Sequence, residues 1–263
     1  ERLEDRRLLT LVSHWTADNT AADAVGTNDA ALISGASYAS GQINQAFDFD
    51  GVDDRVQVAD SPSLKLTESL TIEAWVRADS LPVAQAQIVF RGDDRGGLDP
   101  YSLYVRSDGL LYFEISSLTE GIIRDTVVPL GQFVHVAGTL DDATGAMRLY
   151  LNGSLMSQTT TTIRPFGDLD PNSNPGIGIG NTGGYPNTPH NFPFHGLIDE
   201  LKVYNHALTA EDVLANFNAG KGSLQPAISI GDITIIEGDP SIRYLGTFIS
   251  RSEGGMSDPF API

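Results

Sequence analysis

From Leu11 to about Val203 the chain alternates apolar and polar residues in short runs, each closed by glycine, asparagine or aspartate. In "SLTIEAWVRA", Leu70, Ile72, Ala74 and Val76 alternate with Thr71, Glu73, Trp75 and Arg77, and a period of two predicts a half-buried strand. "YSLYVRSDGLLYFEIS" is two such strands around Asp108-Gly109, a strong hairpin signal. "FVHVAGTLDDATGAMRLYLNGSLMSQ" supplies a strand, the turn Asp142-Ala-Thr-Gly145, a second strand and a reversal at Asn152-Gly153. His135 alternates with Val134 and Val136, which places it on a strand's outward face. One helix is expected: Thr209 and Asp212 approximate a capping box, Val213, Leu214 and Phe217 form an apolar stripe, and Gly220 stands as the stop. Many short strands with one short C-terminal helix predict an all-β, two-sheet antiparallel sandwich or jelly roll over residues 11–222.

One position disturbs the pattern. In "HGLIDELKVYNHALTAEDV", period two puts Leu197, Leu201 and Val203 on the core face with Asp199 among them, and Ile198, Glu200, Lys202 and Tyr204 opposite. A buried carboxylate is costly unless it is paired, hydrogen-bonded or bound to a metal.

Composition narrows the partners. With 16 basic against 34 acidic residues, the formal net charge is −18, which argues against nucleic acid or an anionic membrane surface. No run approaches the roughly 18 apolar residues that span a bilayer, so membrane insertion is not expected. The absence of cysteine excludes a disulfide scaffold, thiol catalysis and cysteine-based zinc sites. The first residue is not Met and no signal-peptide core follows, so both ends read as cut from a longer chain. After a Gly/Ser/Pro linker, residues 223–263 resume strand-like alternation over a length too short for an independent core.

The segments "AFDFDGVDDRVQV", "SLTIEAWV", "FVHVAGTLDDATGAMRLYLNGSLM" and "FHGLIDELKVYNHALTAEDV", in this order, resemble laminin-G-like, concanavalin A-like jelly rolls. The resemblance covers about Leu11 to Gly222. It implies a fold shared by lectins, adhesion modules and glycosidases, so it is specific for architecture and weak for ligand. "LEDRRLLT", within residues 1–10, is similar to the LEPR-x-L-L segment near the start of very large bacterial surface proteins, with Asp5 in place of proline. "ISIGDITIIEGD" looks like the opening strand of a Calx-β-type module, while "GGMSDPFAPI" equally suits the start of a propeller blade. In the family, an aspartate matching Asp199 often ligates a structural calcium. The resemblance therefore implies a Ca²⁺ site of Asp199 with Asp18 and then Asn28, plus carbonyls around Gly26 and Gly41, against the alternative that Asp199 caps backbone amides or faces solvent at a bulge.

Other signals are weighed on their own chemistry. "FDFDGVDD" (Asp48, Asp50, Asp53, Asp54) lacks the EF-hand's terminal glutamate and reads as a turn with solvated carboxylates. Asp168, Asp170 and Asn172 form a second candidate metal loop, with an Asx-rich turn as its alternative. Gly178-Ile-Gly180-Asn-Thr-Gly183 matches a dinucleotide fingerprint only formally, because no helix follows. Arg91-Gly92-Asp93 spells an integrin tripeptide and reads better as part of an acidic rim loop. The five histidines show no zinc spacing. Glu73 and Glu114 stand alone on their strands, so no carboxylate pair for glycoside hydrolysis is evident and no catalysis is expected. The long loop "NTGGYPNTPHNFPFHG" is the best ligand surface: Tyr185, His190 and Phe192 with neighbouring amides suit a sugar ring, although the same aromatics would also tack the loop down. Trp75 is either an exposed platform or a covered residue.

Together these features predict a calcium-supported, non-catalytic binding or adhesion module of an extracellular or cell-surface protein, recognising a glycan or a surface protein. The alternative is a structural subunit that self-assembles through terminal β-strands. A glycosidase ranks third.

Overall fold

The computed structural model describes residues 10–92, 99–116, 120–170, 176–182 and 191–221. The LEPR-like segment, Asp93, Asn172, Tyr185, His190 and the residues after Lys221 lie outside them. Fifteen strands follow in chain order. They are β1 (Leu11–Trp15), β2 (Ala30–Ile33), β3 (Ser37–Ser40), β4 (Gln45–Asp50), β5 (Arg55–Ala59), β6 (Leu70–Ala78), β7 (Gln85–Gly92) and β8 (Tyr101–Arg106). Then come β9 (Leu110–Ser116), β10 (Glu120–Val127), β11 (Val134–Leu140), β12 (Ala146–Leu151), β13 (Ser154–Thr160), β14 (Gly176–Ile179) and β15 (His195–Tyr204), before the helix α1 (Ala210–Gly220).

They form two antiparallel sheets. The eight-stranded sheet runs β13-β12-β11-β6-β15-β4-β3, with β1 also paired to β15; the seven-stranded sheet runs β10-β9-β8-β7-β14-β5-β2. The alternation read from the sequence fills the space between them. Leu70, Ile72, Ala74 and Val76 of β6 belong to the same buried cluster as Leu103, Val105, Leu111 and Phe113 of β8 and β9. Burial of such side chains contributes about 1.5–3 kcal/mol each and supplies the main driving force. The reversal between β12 and β13 has φ +50° at Asn152 and +74° at Gly153, the two left-handed residues that a tight hairpin requires.

The outer face of the eight-stranded sheet is closed by α1. Thr209 and Asp212 form the expected capping box. The helix lays Phe217 on Trp75, with ring centroids 5.5 Å apart, so Trp75 is covered rather than a platform. His135 does face outward but is buried against the same two rings. Gly220 serves packing rather than a left-handed stop: a Cβ there would lie 2.2 Å from Trp75 Nε1. Under the helix, Glu73 is buried and accepts hydrogen bonds from Tyr204 Oη and Asn216 Nδ2, both 2.8 Å, with Lys202 Nζ at 3.9 Å. A buried carboxylate held this way fixes the helix to β6 and β15.

One sequence reading changes here, and the rejection of a dinucleotide loop stands. Arg91 is not on a rim loop: it is fully buried in β7 and donates to Asp60 Oδ1 and to the Gly167 carbonyl. Gly178 and Gly180 serve a strand and its exit, with Gly180 pressed on the Phe49 ring, and form no phosphate loop. Phe217→Ala would uncover Trp75 and cost about 3–5 kcal/mol. Because the other tryptophan, Trp15, is fully buried elsewhere, a red shift of tryptophan emission together with a lower urea midpoint would check this.

Candidate functional site

Two regions carry chemistry, one at the closing strand and one on the outer face of the seven-stranded sheet. β15 pairs with β6 along one edge; along the other it pairs first with β4 and then with β1. The switch of partner coincides with a bulge between Asp199 and Lys202, where Glu200 adopts φ +51°. The bulge reverses the phase assumed from period two. Ile198 opposes Val76 in the core, whereas Asp199 opposes Trp75 and lies on the outer side. Asp199 is nevertheless fully buried, because the loop between β3 and β4 folds over it.

That loop gathers two of the expected ligands. Asp199 Oδ2 accepts from Ile43 N at 2.8 Å. Asp18, just beyond β1, accepts from Gln45 N and from Asn44 Nδ2, both at 3.1 Å. Gly41 admits the close approach: a Cβ there would lie 2.6 Å from Asp199 Oδ2. Asn28 is committed elsewhere. Its amide bridges Ser13, Ser61 and Ser63, and its backbone carbonyl accepts from Trp15 Nε1. Gly26 sits beside Asp23, whose carboxylate accepts from His14 N, Val25 N and Asn28 N and organises this stretch.

Asp199 Oδ1 is buried without a hydrogen-bond partner. Burial pushes its pKa up to about 7, against the opposing backbone N–H bond from Ile43. An orphaned, desolvated carboxylate oxygen under a loop that also binds the Asp18 carboxylate suits a hard cation with oxygen ligands. Glu200 meets His14 Nε2 at 2.7 Å, and its negative charge adds to the rise of the Asp199 pKa.

Elsewhere, Asp50, Asp53 and Asp54 bring carboxylate oxygens within 4.8 Å of one another in the "FDFDGVDD" turn. Local bonds account for much of it: Asp54 Oδ2 accepts from Asp50 N, and Asp50 Oδ1 accepts from Val52 N. Burial, with the Asp50, Asp53 and Asp48 charges, raises the Asp54 pKa. In the other candidate loop, Asp168 is exposed and paired with Lys65 Nζ at 2.6 Å, and Asp170 is half-buried.

The outer face of the seven-stranded sheet carries a cross-strand row, Gln87 of β7, Tyr104 of β8, Tyr112 of β9 and Arg124 of β10. Tyr104 and Tyr112 stack with centroids 5.1 Å apart, and Tyr104 donates to Glu114 in the next row. Arg106 and Arg124 both lie against the Tyr112 ring, at 5.4 and 5.8 Å. Gln87 Oε1 is buried and without a partner. Phe192, the described member of the predicted ligand loop, is anchored at the end of this row. Its carbonyl accepts from Gln87 N and its N–H donates to Asn181 Oδ1, and its side chain remains half-buried. Sequence reading missed the row because each strand looked ordinary by itself. The Asp108-Gly109 hairpin was the available signal, since it sets Tyr104 opposite Tyr112.

Two sheets in this order, closed by β15 and α1, define a concanavalin A-like sandwich. The chain belongs to the concanavalin A-like lectin/glucanases superfamily, whose laminin G-type model matches residues 50–214. Pentraxin-related protein PTX3 of Mus musculus is 26% identical over 182 residues, which are 68% of this chain and 46% of that protein; the chain thus spans less than half of the relative's length. Among solved structures, domain 4 of AbnA, a GH43 extracellular arabinanase from Geobacillus stearothermophilus in complex with arabinotriose, superposes with a TM-score of 0.63 at 23% identity, covering 79% of this chain and 98% of that one. Botulinum neurotoxin type C, whose cell entry depends on interaction with two ganglioside molecules, gives 0.60 at 18% identity over 81% and 51%. At these identities the likeness establishes the fold. No helix among the described residues is long and apolar enough to cross a membrane.

The Asp199 geometry predicts a stability–pH relation for cation-free protein. Its folded pKa, about 7, lies above the ordinary carboxylate value of 3.8, so the folded state binds the extra proton between these limits. This contribution to stability is full below about pH 4 and is lost as pH rises through 7, on the order of 4 kcal/mol in all. Urea titrations in chelator from pH 4.5 to 8 should show that decline in the wild type and a flatter profile in Asp199→Asn.

Proposed function

We propose that the chain is a non-catalytic carbohydrate-binding module of an extracellular protein, and that it binds on the outer face of the seven-stranded sheet, beside the loop that carries Phe192. The observation behind this reading is the contrast between the two outer faces. One is sealed by α1. The other has no helix over it among the described residues and carries aromatic, amide, guanidinium and carboxylate groups in register: Arg106 and Arg124 are exposed and Phe192 and Glu114 half-buried, above a buried layer of Tyr104, Tyr112 and Gln87, whose Oε1 has no partner among the described residues. Such a mixture of flat apolar surface and convergent polar groups is what saccharide recognition uses. The complex of AbnA domain 4 with arabinotriose is consistent with it.

The placement of Glu73 and Glu114 supports the non-catalytic part. They project from opposite outer faces of the sandwich, Glu73 under the helix and Glu114 beside Tyr104. Hydrolysis by paired carboxylates needs the two about 5–10 Å apart across one cleft, and stacked sheets alone stand about 10 Å apart.

Structural calcium belongs to the same proposal. Asp199, with Asp18 bound to the same loop, would hold the ion where β1, β4 and β15 meet, tying the N-terminal strand to the closing strand. The ion would neutralise Asp199 and remove the cost of burying its charge. Self-assembly through strands has one observation in its favour: β13 is an exposed sheet edge with Leu155 and Met156 uncovered. The bulge that β13 carries at Met156 works against it.

Two outcomes are expected. On an oligosaccharide array, wild-type protein should give selective signals that fall about tenfold or more in a Gln87→Ala/Phe192→Ala variant, consistent with a binding contribution above about 1.4 kcal/mol; an unchanged pattern in the variant would contradict the site. In differential scanning calorimetry, millimolar calcium should raise the wild-type midpoint relative to chelator, and Asp199→Ala should abolish the rise.

A further inference from the structure

We infer that the Arg106–Tyr112–Arg124 cluster selects saccharides bearing an anionic group, a carboxylate or a sulfate. The inference rests on the carbohydrate reading of the same face and adds the class of ligand. It begins with charge. In a chain with 34 acidic residues, Lys65, Arg77, Arg91, Arg164 and Lys202 each lie within 4.0 Å of a carboxylate. Arg106 and Arg124 are both exposed, and neither has such a partner among the described residues. Both guanidiniums rest on one ring instead.

The ring is itself fixed. Tyr112 is buried, stacked on Tyr104, and its hydroxyl donates to Asp108 Oδ2 at 2.8 Å while accepting from Arg124 at 3.0 Å. The nearby carboxylates are already engaged: Asp108 Oδ1 accepts from Leu110 N, and Glu114 Oε2 accepts from Tyr104. Among the described residues the Arg124 fork makes that one bond to Tyr112 and Arg106 makes none, so donors remain for an external group. An arginine already held against a fixed ring has lost some of its rotamer freedom, so less is lost when it binds. Its fork matches the planar oxygens of a carboxylate or the oxygens of a sulfate, and such charge-assisted bonds are about twice as strong as neutral ones.

The net charge of −18 acts in the opposite direction on long polyanions, because many acidic residues would face them. At physiological salt those charges are screened beyond about 8 Å, whereas the two guanidiniums would touch the ligand directly. The site therefore suits a short acidic saccharide and disfavours nucleic acid.

Isothermal titration of the whole chain with three probes tests this: an oligogalacturonate for carboxylate, a sulfated chondroitin tetrasaccharide for sulfate, and arabinotriose as the neutral reference. Wild type should bind one of the acidic probes at least ~10-fold more tightly than arabinotriose. Arg106→Gln/Arg124→Gln, two exposed changes, should abolish that preference, weakening the acidic probe at least ~10-fold more than arabinotriose, while leaving the tryptophan emission unchanged. Which acidic probe responds identifies the anion. Equal affinity for all three, or a preference unmoved by the double variant, overturns the inference and leaves the carbohydrate face standing if Gln87→Ala/Phe192→Ala still weakens arabinotriose. Binding of none of the three by folded protein overturns both.

Discussion

The strand that closes the sandwich has to satisfy three neighbours, and the rest of the molecule depends on how it does so. β15 needs β6 along its whole length on one edge and a succession of β4 and β1 on the other. One regular strand would carry its phase unchanged across that junction. The bulge at Glu200 resets the phase, which puts Leu201 and Val203 into the core and turns Asp199 out beneath the loop before β4. A carboxylate thereby becomes buried at the seam where the two ends of the domain meet. Its orphaned oxygen is a local conflict of the kind that folded chains retain where something else is bound.

The same strand decides which outer face the helix covers. Tyr204, near its end, donates to Glu73, and that bond together with Asn216 brings α1 down across β6 and β11. Trp75, His135 and Phe217 then pack as a second, smaller layer. No helix lies across the row from Gln87 to Arg124 among the described residues, yet Gln87, Tyr104 and Tyr112 are themselves buried, and the exposed groups here are Arg106 and Arg124, with Glu114 and Phe192 half-buried.

Much of this was legible in the sequence. Strand alternation, the Asn152-Gly153 reversal, the capping box at Thr209 and the family resemblance all rest on local chemistry, and local chemistry survives folding. What failed did so for long-range reasons. The phase of Asp199 depends on a bulge whose cause is a change of partner strand, which no periodicity within "HGLIDELKVY" displays. Asn28 had the right side chain in the right region, but three serines distant in sequence or turn position claim it. Trp75 stayed open between platform and covered residue, and Arg91 read as part of a rim loop, because their cover comes from elements distant in sequence, α1 for the one and Asp60 with Gly167 for the other. The tyrosine and arginine cluster was hidden for the same reason, since three hairpin-linked strands each contribute one part.

The central claim is that this sandwich keeps one outer face closed and uses the other. Backbone chemical-shift mapping during titration with whichever saccharide binds most tightly addresses it directly. The account predicts perturbations concentrated on β7, β8, β9, β10 and the segment around Phe192, with α1 and the outer residues of β6 silent. Perturbations centred on α1, on β13 or on the Asp199 loop, with the Tyr104–Tyr112 row unmoved, would contradict it.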